Sequence, residues 1–149
     1  ILKGINTSNK IFYDLGSGIG RLVVYAGYEK KFKQAIGVEF NPKRHEIAVN
    51  TLKSISIDLQ ENDRVKLIND TMFKPEYFTG NVYFISNLCF NDQMNRKLAH
   101  YFRKYNTNKN TVIFCSRKLP LKKNVKSIIK ISCPMTWSND SKVYKYVLN

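Results

Sequence analysis

The chain of 149 residues is 43% hydrophobic and 24% charged, proportions of one folded domain of roughly 100 to 200 residues, which exclude disorder, collagen and low-complexity character. Its 25 Lys plus Arg against 11 Asp plus Glu leave a net charge of +14, so polyanions are the expected partners: nucleic acid, nucleosome or an acidic membrane surface. The longest uncharged apolar stretch, Val82 to Phe90, is far short of the about 20 residues of a membrane helix, so no membrane-spanning segment is expected.

In chain order, Ile11 to Leu15 is a short apolar run that ends at a Gly cluster, and Ile19 to Tyr28 carries apolar residues at helical spacing. Gln34 to Val38 reads as the next strand, and Asn41 with Pro42 opens a helix expected to run to about Ile57, Pro being suited to the first turn. Val65 to Ile68 and the β-branched and aromatic Val82 to Ile85 are further strands. Asn91 or Asp92 caps a helix to about Arg103, and Thr111 to Cys115 is a fifth strand. Past a basic loop from Arg117 to Lys126, Ser127 to Cys133 and Lys142 to Leu148 are extended, with no helical pattern between them. The alternation predicts an α/β fold, a mostly parallel sheet with helices on both faces closed by an antiparallel edge.

The three cysteines, Cys89, Cys115 and Cys133, form no C-x-x-C pair and have no nearby His, so they are expected to be buried, reduced thiols of an intracellular protein. No metal-ligand spacing exists, and His45 and His100 lie on expected helices. The start at Ile1 without Met or a leader reads as a trimmed piece of a longer chain.

The first site signal is Asp14-Leu15-Gly16-Ser17-Gly18-Ile19-Gly20, where a strand turns into a helix. Glycines there let backbone approach a ligand. The spacing is G-x-G-x-G, and Asp14 stands two residues before the first Gly, where pyrophosphate binders keep an apolar residue. A carboxylate there repels phosphate and suits an ammonium, such as the methionine end of S-adenosylmethionine. Glu39, at the end of the following strand, is placed to take ribose hydroxyls, and Asp70, after the third strand, to reach an adenine amino group. Each alone reads equally well as a strand-end carboxylate or cap partner. Three at successive strand ends point to a nucleoside ligand.

FYDLGSGIGR, GVEFNP and IND resemble motifs of class I S-adenosylmethionine-dependent methyltransferases. Val82 to Phe90 resembles the V-I-F-V-N-N-F-A-F stretch of the disruptor-of-telomeric-silencing family, non-SET lysine methyltransferases of nucleosomal histone H3. Trp137-Ser138 with Tyr144 resembles that family's S-W-T and following Tyr, and TVIFCSRK lies where it has its R-I-V-S-S-K strand. Ser86 replaces the family's first Asn, Arg21 replaces its Gln and also matches the ATP-synthase c-subunit lysine methyltransferases, and the Tyr-Gly-Glu loop has no counterpart before Ile11.

The resemblance implies a Rossmann-like class I methyltransferase fold, a seven-stranded sheet in a single domain over residues 1–149, that transfers methyl to a histone lysine in nucleosomes. It implies cofactor contacts from Asp14, Gly16, Ser17, Gly18, Gly20, Glu39, Asp70 and Asn87, and an acceptor channel of Ser86, Asn87, Phe90, Trp137 and Tyr144. Without the resemblance, Phe90 and Trp137 read as core aromatics. Arg117, Lys118, Lys122, Lys123 and Lys126 are the candidate contacts to the DNA phosphate backbone, against the plainer reading of a solvated face. Asn87-Leu88-Cys89 stands where base-amino methylases carry Pro-Pro-aromatic, and Cys133-Pro134 reverses the Pro-Cys of cytosine-carbon enzymes, which disfavours base methylation. An RNA or non-histone protein methyltransferase and a catalytically idle chromatin or nucleic-acid binder remain as alternatives. Abundant Asn and Lys point to an A/T-rich genome, such as a parasite or a large DNA virus, with the nucleus, host nucleus or viral factory as the expected location.

Overall fold

A computed structural model describes residues 1–55, 64–135 and 138–149, with side chains left undescribed over 134–140. The strands make a seven-stranded mixed sheet, mostly parallel with an antiparallel edge. The chain divides into two compact units, Leu2–Met72 and Phe73–Asn149, Ile1 grouping with the second.

In the first unit, β1 (Ile11–Leu15), β2 (Gln34–Glu39) and β3 (Val65–Asn69) lie parallel in the order β3-β2-β1. Parallel neighbours require crossovers, which α1 (Arg21–Tyr28) and α2 (Pro42–Ser54) supply. Phe12, Leu15, Val23, Ala26 and Phe32 are fully buried. The helix expected from Ile19 begins only at Arg21, because its cap, Gly20, takes φ 77°, a left-handed conformation that cannot extend a helix backwards. At α2 the Asn41 side chain accepts from the N–H groups of Lys43 and Arg44 at 3.0 and 3.2 Å, with Pro42 behind it. α2 ends at Ser54, and its expected extension to Ile57 lies outside the described residues.

In the second unit a 3-10 turn (Pro75–Phe78) leads into β4 (Val82–Ile85), then α3 (Asp92–Tyr105), β5 (Val112–Cys115), β6 (Val125–Met135) and β7 (Ser138–Leu148), with strand order β4-β5-β7-β6. β4 and β5 are parallel; β7 runs antiparallel to both β5 and β6. Asn91 caps α3 by accepting from Met94 N–H at 2.8 Å, Asp92 stands in its first turn, and Arg103 and Lys104 in its last, each charge matched to the helix dipole. The core centres on Phe102, whose ring meets Phe78 and Tyr83 edge-on with centroids 4.9 Å apart in each case.

The cysteine expectation holds for Cys115, which is buried and whose thiol burial pushes up to about 12. It fails for Cys89, which the loop after β4 leaves exposed, and for Cys133, which is only half-buried on β6. Among the described residues no helix is long and apolar enough to cross a membrane, and no His, Cys, Asp and Glu group could hold a metal.

Candidate active site

Three carboxylates stand at or just past the carboxyl ends of β1, β2 and β3, the edge where open α/β sheets bind ligands. Their polypeptide setting differs. Asp14 is 4% exposed and its Oδ1 has no hydrogen-bond partner. Burial, and then the charge of Glu39, raise its pKa to about 7. An unpaired acceptor at that depth is costly, and a cationic ligand group would satisfy it.

Glu39 is also buried, but both its oxygens are engaged: Oε2 accepts from Gly18 N–H and Oε1 from Asn41 N–H, each at 2.8 Å. The Gly-rich turn is therefore held over the end of β2, where Gly16 and Ser17 N–H groups also donate to Val38 O at 2.8 and 3.1 Å. Gly37 makes this approach possible, since a Cβ there would come within 2.8 Å of Ser17 Oγ. Gly18 takes φ +56° with open space where its Cβ would stand, so the turn presents bare backbone outward. Each carboxylate oxygen of Glu39 keeps a second lone pair for a hydroxyl donor.

Asp70 is joined to the same edge through its own N–H, which donates to Glu39 O at 3.1 Å, while its Oδ1 accepts from Thr71 N–H at 2.7 Å. Sequence reasoning passed over Phe40. Its side chain is 76% exposed directly after Glu39, whereas its carbonyl is fixed by Asn69 Nδ2 at 3.2 Å. The available signal was a large apolar residue at a strand end among polar neighbours, in Glu39-Phe40-Asn41.

In the second unit Asn87 is fully buried, and its amide is used inside the protein. Nδ2 donates to Asn95 Oδ1 at 2.7 Å and to Arg117 O at 3.0 Å, and Oδ1 accepts from Arg117 N–H at 2.7 Å. Both amide protons are spent, so Asn87 ties the loops after β4 and β5 to α3, and only an acceptor lone pair remains for another group. Arg117 also donates to Phe90 O at 2.7 Å and faces Asp92 at 3.5 Å. Phe90 and Ser86 are half-buried on the same loop. Tyr144, on β7, pairs across the ladders with Cys115 and Lys130, and the Lys130 ammonium sits 5.8 Å from its ring centroid. Trp137 lies outside the described residues.

Of the basic residues, Arg117, Lys118, Lys122 and Lys126 line one groove, joined by Arg96 from α3, which the sequence reading did not include. Lys123 lines a different depression with Arg103 and Lys109.

An unpaired buried carboxylate, an outward-facing Gly turn and two further acids on the same edge fit the cation and nucleoside of S-adenosylmethionine. Solved structures share the fold. A conserved hypothetical protein of Streptococcus pyogenes superposes with a TM-score of 0.68 at 17% identity, covering 95% of this chain and 87% of that one. The methyltransferase domain of a bacterial Hen1 gives 0.73 at 14% identity, covering 94% and 90%. TrmK of M. capricolum, solved with its cofactor product S-adenosyl-homocysteine, gives 0.65 at 14%, covering 97% and 64%. No curated protein matches at a significant level. The family model of the histone methylation protein DOT1 matches residues 1–146. The chain belongs to the DOT1 family of histone methylation proteins, methyltransferases whose cofactor is S-adenosylmethionine.

Proposed function

We propose that the protein is a protein-lysine N-methyltransferase that acts on a histone lysine in nucleosomes. The observation that carries this reading is the family match over residues 1–146; the unpaired Asp14 carboxylate supports its cofactor side. Asp14 would hold the cofactor's ammonium group, the backbone of Gly16 to Gly18 its methionine end, Glu39 the ribose hydroxyls and Asp70 the adenine amino group. S-adenosylmethionine, when bound, supplies a methyl group on a positively charged sulfur.

The protein's remaining task is to deliver a neutral amine in line with that methyl group. A lysine ammonium has no lone pair, and removal from water favours its uncharged form, so an apolar channel prepares the nucleophile without a dedicated base. Phe90, Trp137 and Tyr144 are the proposed walls, with the Tyr144 hydroxyl orienting the amine. The surplus proton on the methylated amine would leave to water, since none of the channel residues is assigned as a base. Orientation carries much of the rate in such a site. Asn87, with both amide protons committed to Asn95 and Arg117, acts by holding the loop that bears Ser86 and Phe90.

The test is a radiolabelled methyl-transfer assay against nucleosomes, free histones, RNA and DNA. Label on histone lysine, lost in Tyr144→Phe without loss of cofactor affinity, is the expected outcome. Label on RNA alone, or on a non-histone protein alone, replaces the acceptor assignment, and cofactor binding without transfer to any acceptor identifies an idle binder.

A further inference from the structure

Between α3 and the segment that joins β5 to β6 lies a groove of about 830 Å³. Arg96, Arg117, Lys118, Lys122 and Lys126 line it, against one carboxylate, Asp92. A charge run on a loop is ordinarily a solvated face whose cations wander independently. This one is built on a fixed frame. The backbone of Arg117 is clamped on both sides by the buried Asn87 amide. Two residues on, Leu119 N–H donates to the buried Tyr146 hydroxyl at 2.9 Å, and that hydroxyl donates back to Leu119 O at 3.1 Å. Burial pushes the Tyr146 hydroxyl up to about 12, so it remains a donor throughout the physiological range.

The cations themselves are left uncompensated. Arg117 has Asp92 at 3.5 Å, a long and mostly exposed pair. Among the described residues, the Arg96, Lys118, Lys122 and Lys126 side chains have no hydrogen bond or ion pair, and all four are exposed. Like charges gathered without partners destabilise the fold by mutual repulsion, a cost that an anionic ligand would offset.

We infer that this groove seats the phosphate backbone of duplex nucleic acid. Its lining includes no aromatic side chain, which removes the stacking platforms on which single strands are held. Four of its five cations are disposed around aliphatic Leu119, Pro120 and Leu121, an arrangement that meets a ridge of phosphates and offers little to read base edges, so binding is independent of sequence. Lys123, in the same basic run, lines another depression and stands outside the site. The inference deepens the nucleosome reading and rests on it for the choice of duplex over other polyanions.

The experiment measures fluorescence anisotropy of a labelled DNA duplex with the full chain, without cofactor or acceptor, from about 50 to 200 mM salt. Since turnover is not read, failure of methyl transfer and failure of this site are separate results. Lys118→Ala, Lys122→Ala and Lys126→Ala together lower the slope of log affinity against log salt by about 2.7, three phosphates at about 0.9 each. Lys123→Ala keeps the wild-type slope. An unchanged slope in the triple variant, or an equal loss from Lys123→Ala alone, overturns the site. Should the triple variant fail to fold by circular dichroism, Lys122→Ala and Lys126→Ala singly decide, each expected to lower the slope by about 0.9. Poly-glutamate that displaces the duplex as effectively as unlabelled duplex at equal charge would assign the groove to an acidic protein surface instead, and a single strand bound more tightly than the duplex would also overturn the assignment.

Discussion

The carboxylate of Glu39 accepts the N–H of Gly18 at 2.8 Å, which makes the residue expected to hold ribose also the brace of the Gly-rich turn. Its other oxygen fixes Asn41, the cap of α2, so one side chain sets the position of the turn and the start of the helix. Glu39→Ala leaves both N–H groups without this partner, at about 1 to 3 kcal/mol each where they remain buried. The expected result is a clear fall in thermal stability even without cofactor, together with lost affinity. Glu39→Gln keeps one acceptor and is expected to lose less stability. Thermal melts of the two variants with and without S-adenosylmethionine separate the bracing role from the ligand role: equal apo stability of Glu39→Ala and wild type would remove the brace.

Asp14 makes cofactor binding depend on pH. Its folded value, raised to about 7 chiefly by burial and secondly by Glu39, lies above that of an unfolded Asp, so the empty folded protein holds a proton that the unfolded chain releases. Stability of the empty protein therefore falls as pH rises from about 4 to 7, by an amount on the order of a few kcal/mol. A cationic ligand prefers the ionised form, so affinity for S-adenosylmethionine should rise over the same range as Asp14 loses its proton. Calorimetry at pH 6 in two buffers of different ionisation enthalpy should register proton release on binding. Asp14→Asn should flatten the profile and weaken binding, and Glu39→Gln should move the rise to lower pH. A flat profile in the wild type would detach Asp14 from the cofactor.

Asn87 supplies a structural prediction. With Nδ2 bonded to Asn95 and Arg117 and Oδ1 bonded to Arg117, Asn87→Asp would set a carboxylate oxygen against two acceptors. Asn87→Ala would instead leave Asn95 and the Arg117 backbone unpaired. Each is expected to lose about 2 to 4 kcal/mol in denaturant unfolding. If the residue also contacts the cofactor directly, the affinity per folded molecule falls as well; an unchanged affinity confines Asn87 to holding the loops.

The alternating pattern made the strand and helix order legible, because runs of β-branched and aromatic residues such as Val82–Ile85 and caps such as Asn41 and Asn91 announce themselves locally. The 3-10 turn Pro75–Phe78 is too short to show a period. β6 starts at Val125 and β7 at Ser138, earlier than their apolar runs, because hairpin pairing recruits polar residues such as Asp140 that have little strand preference. The carboxylates of the candidate site could be found from strand-end position. What those groups bond to could not: the partners of Asn87 are 8 and 30 residues away, and the groove that takes in Arg96 but leaves out Lys123 exists only once α3 packs beside the β5–β6 segment. Cys89 was misjudged for the same reason, since apolar neighbours in sequence do not ensure a covered position in a loop.

Phe40 gives the last prediction. A phenyl group that is 76% exposed forgoes most of the roughly 1.5 to 3 kcal/mol that burial of such a side chain yields. Its main chain is fixed: Asn69 Nδ2 bonds its carbonyl at 3.2 Å, the preceding carbonyl of Glu39 at 2.8 Å, and Asp70 N–H bonds that same Glu39 carbonyl. The ring is thus carried on a fixed main chain next to Glu39, the acid expected to take ribose, and beside the end of β3 that carries Asp70, where an apolar face can cover a purine. Phe40→Ser should leave the melting temperature of the empty protein near wild type, because the ring contributes little to the core. Cofactor affinity should fall by about tenfold, or about 1.4 kcal/mol, and Phe40→Tyr should restore most of it. Titration calorimetry with S-adenosylmethionine and with adenosine alone distinguishes the outcomes. A loss shared by both ligands places the ring on the nucleoside, whereas Phe40→Ser binding both as wild type does would leave the exposed phenyl as plain surface.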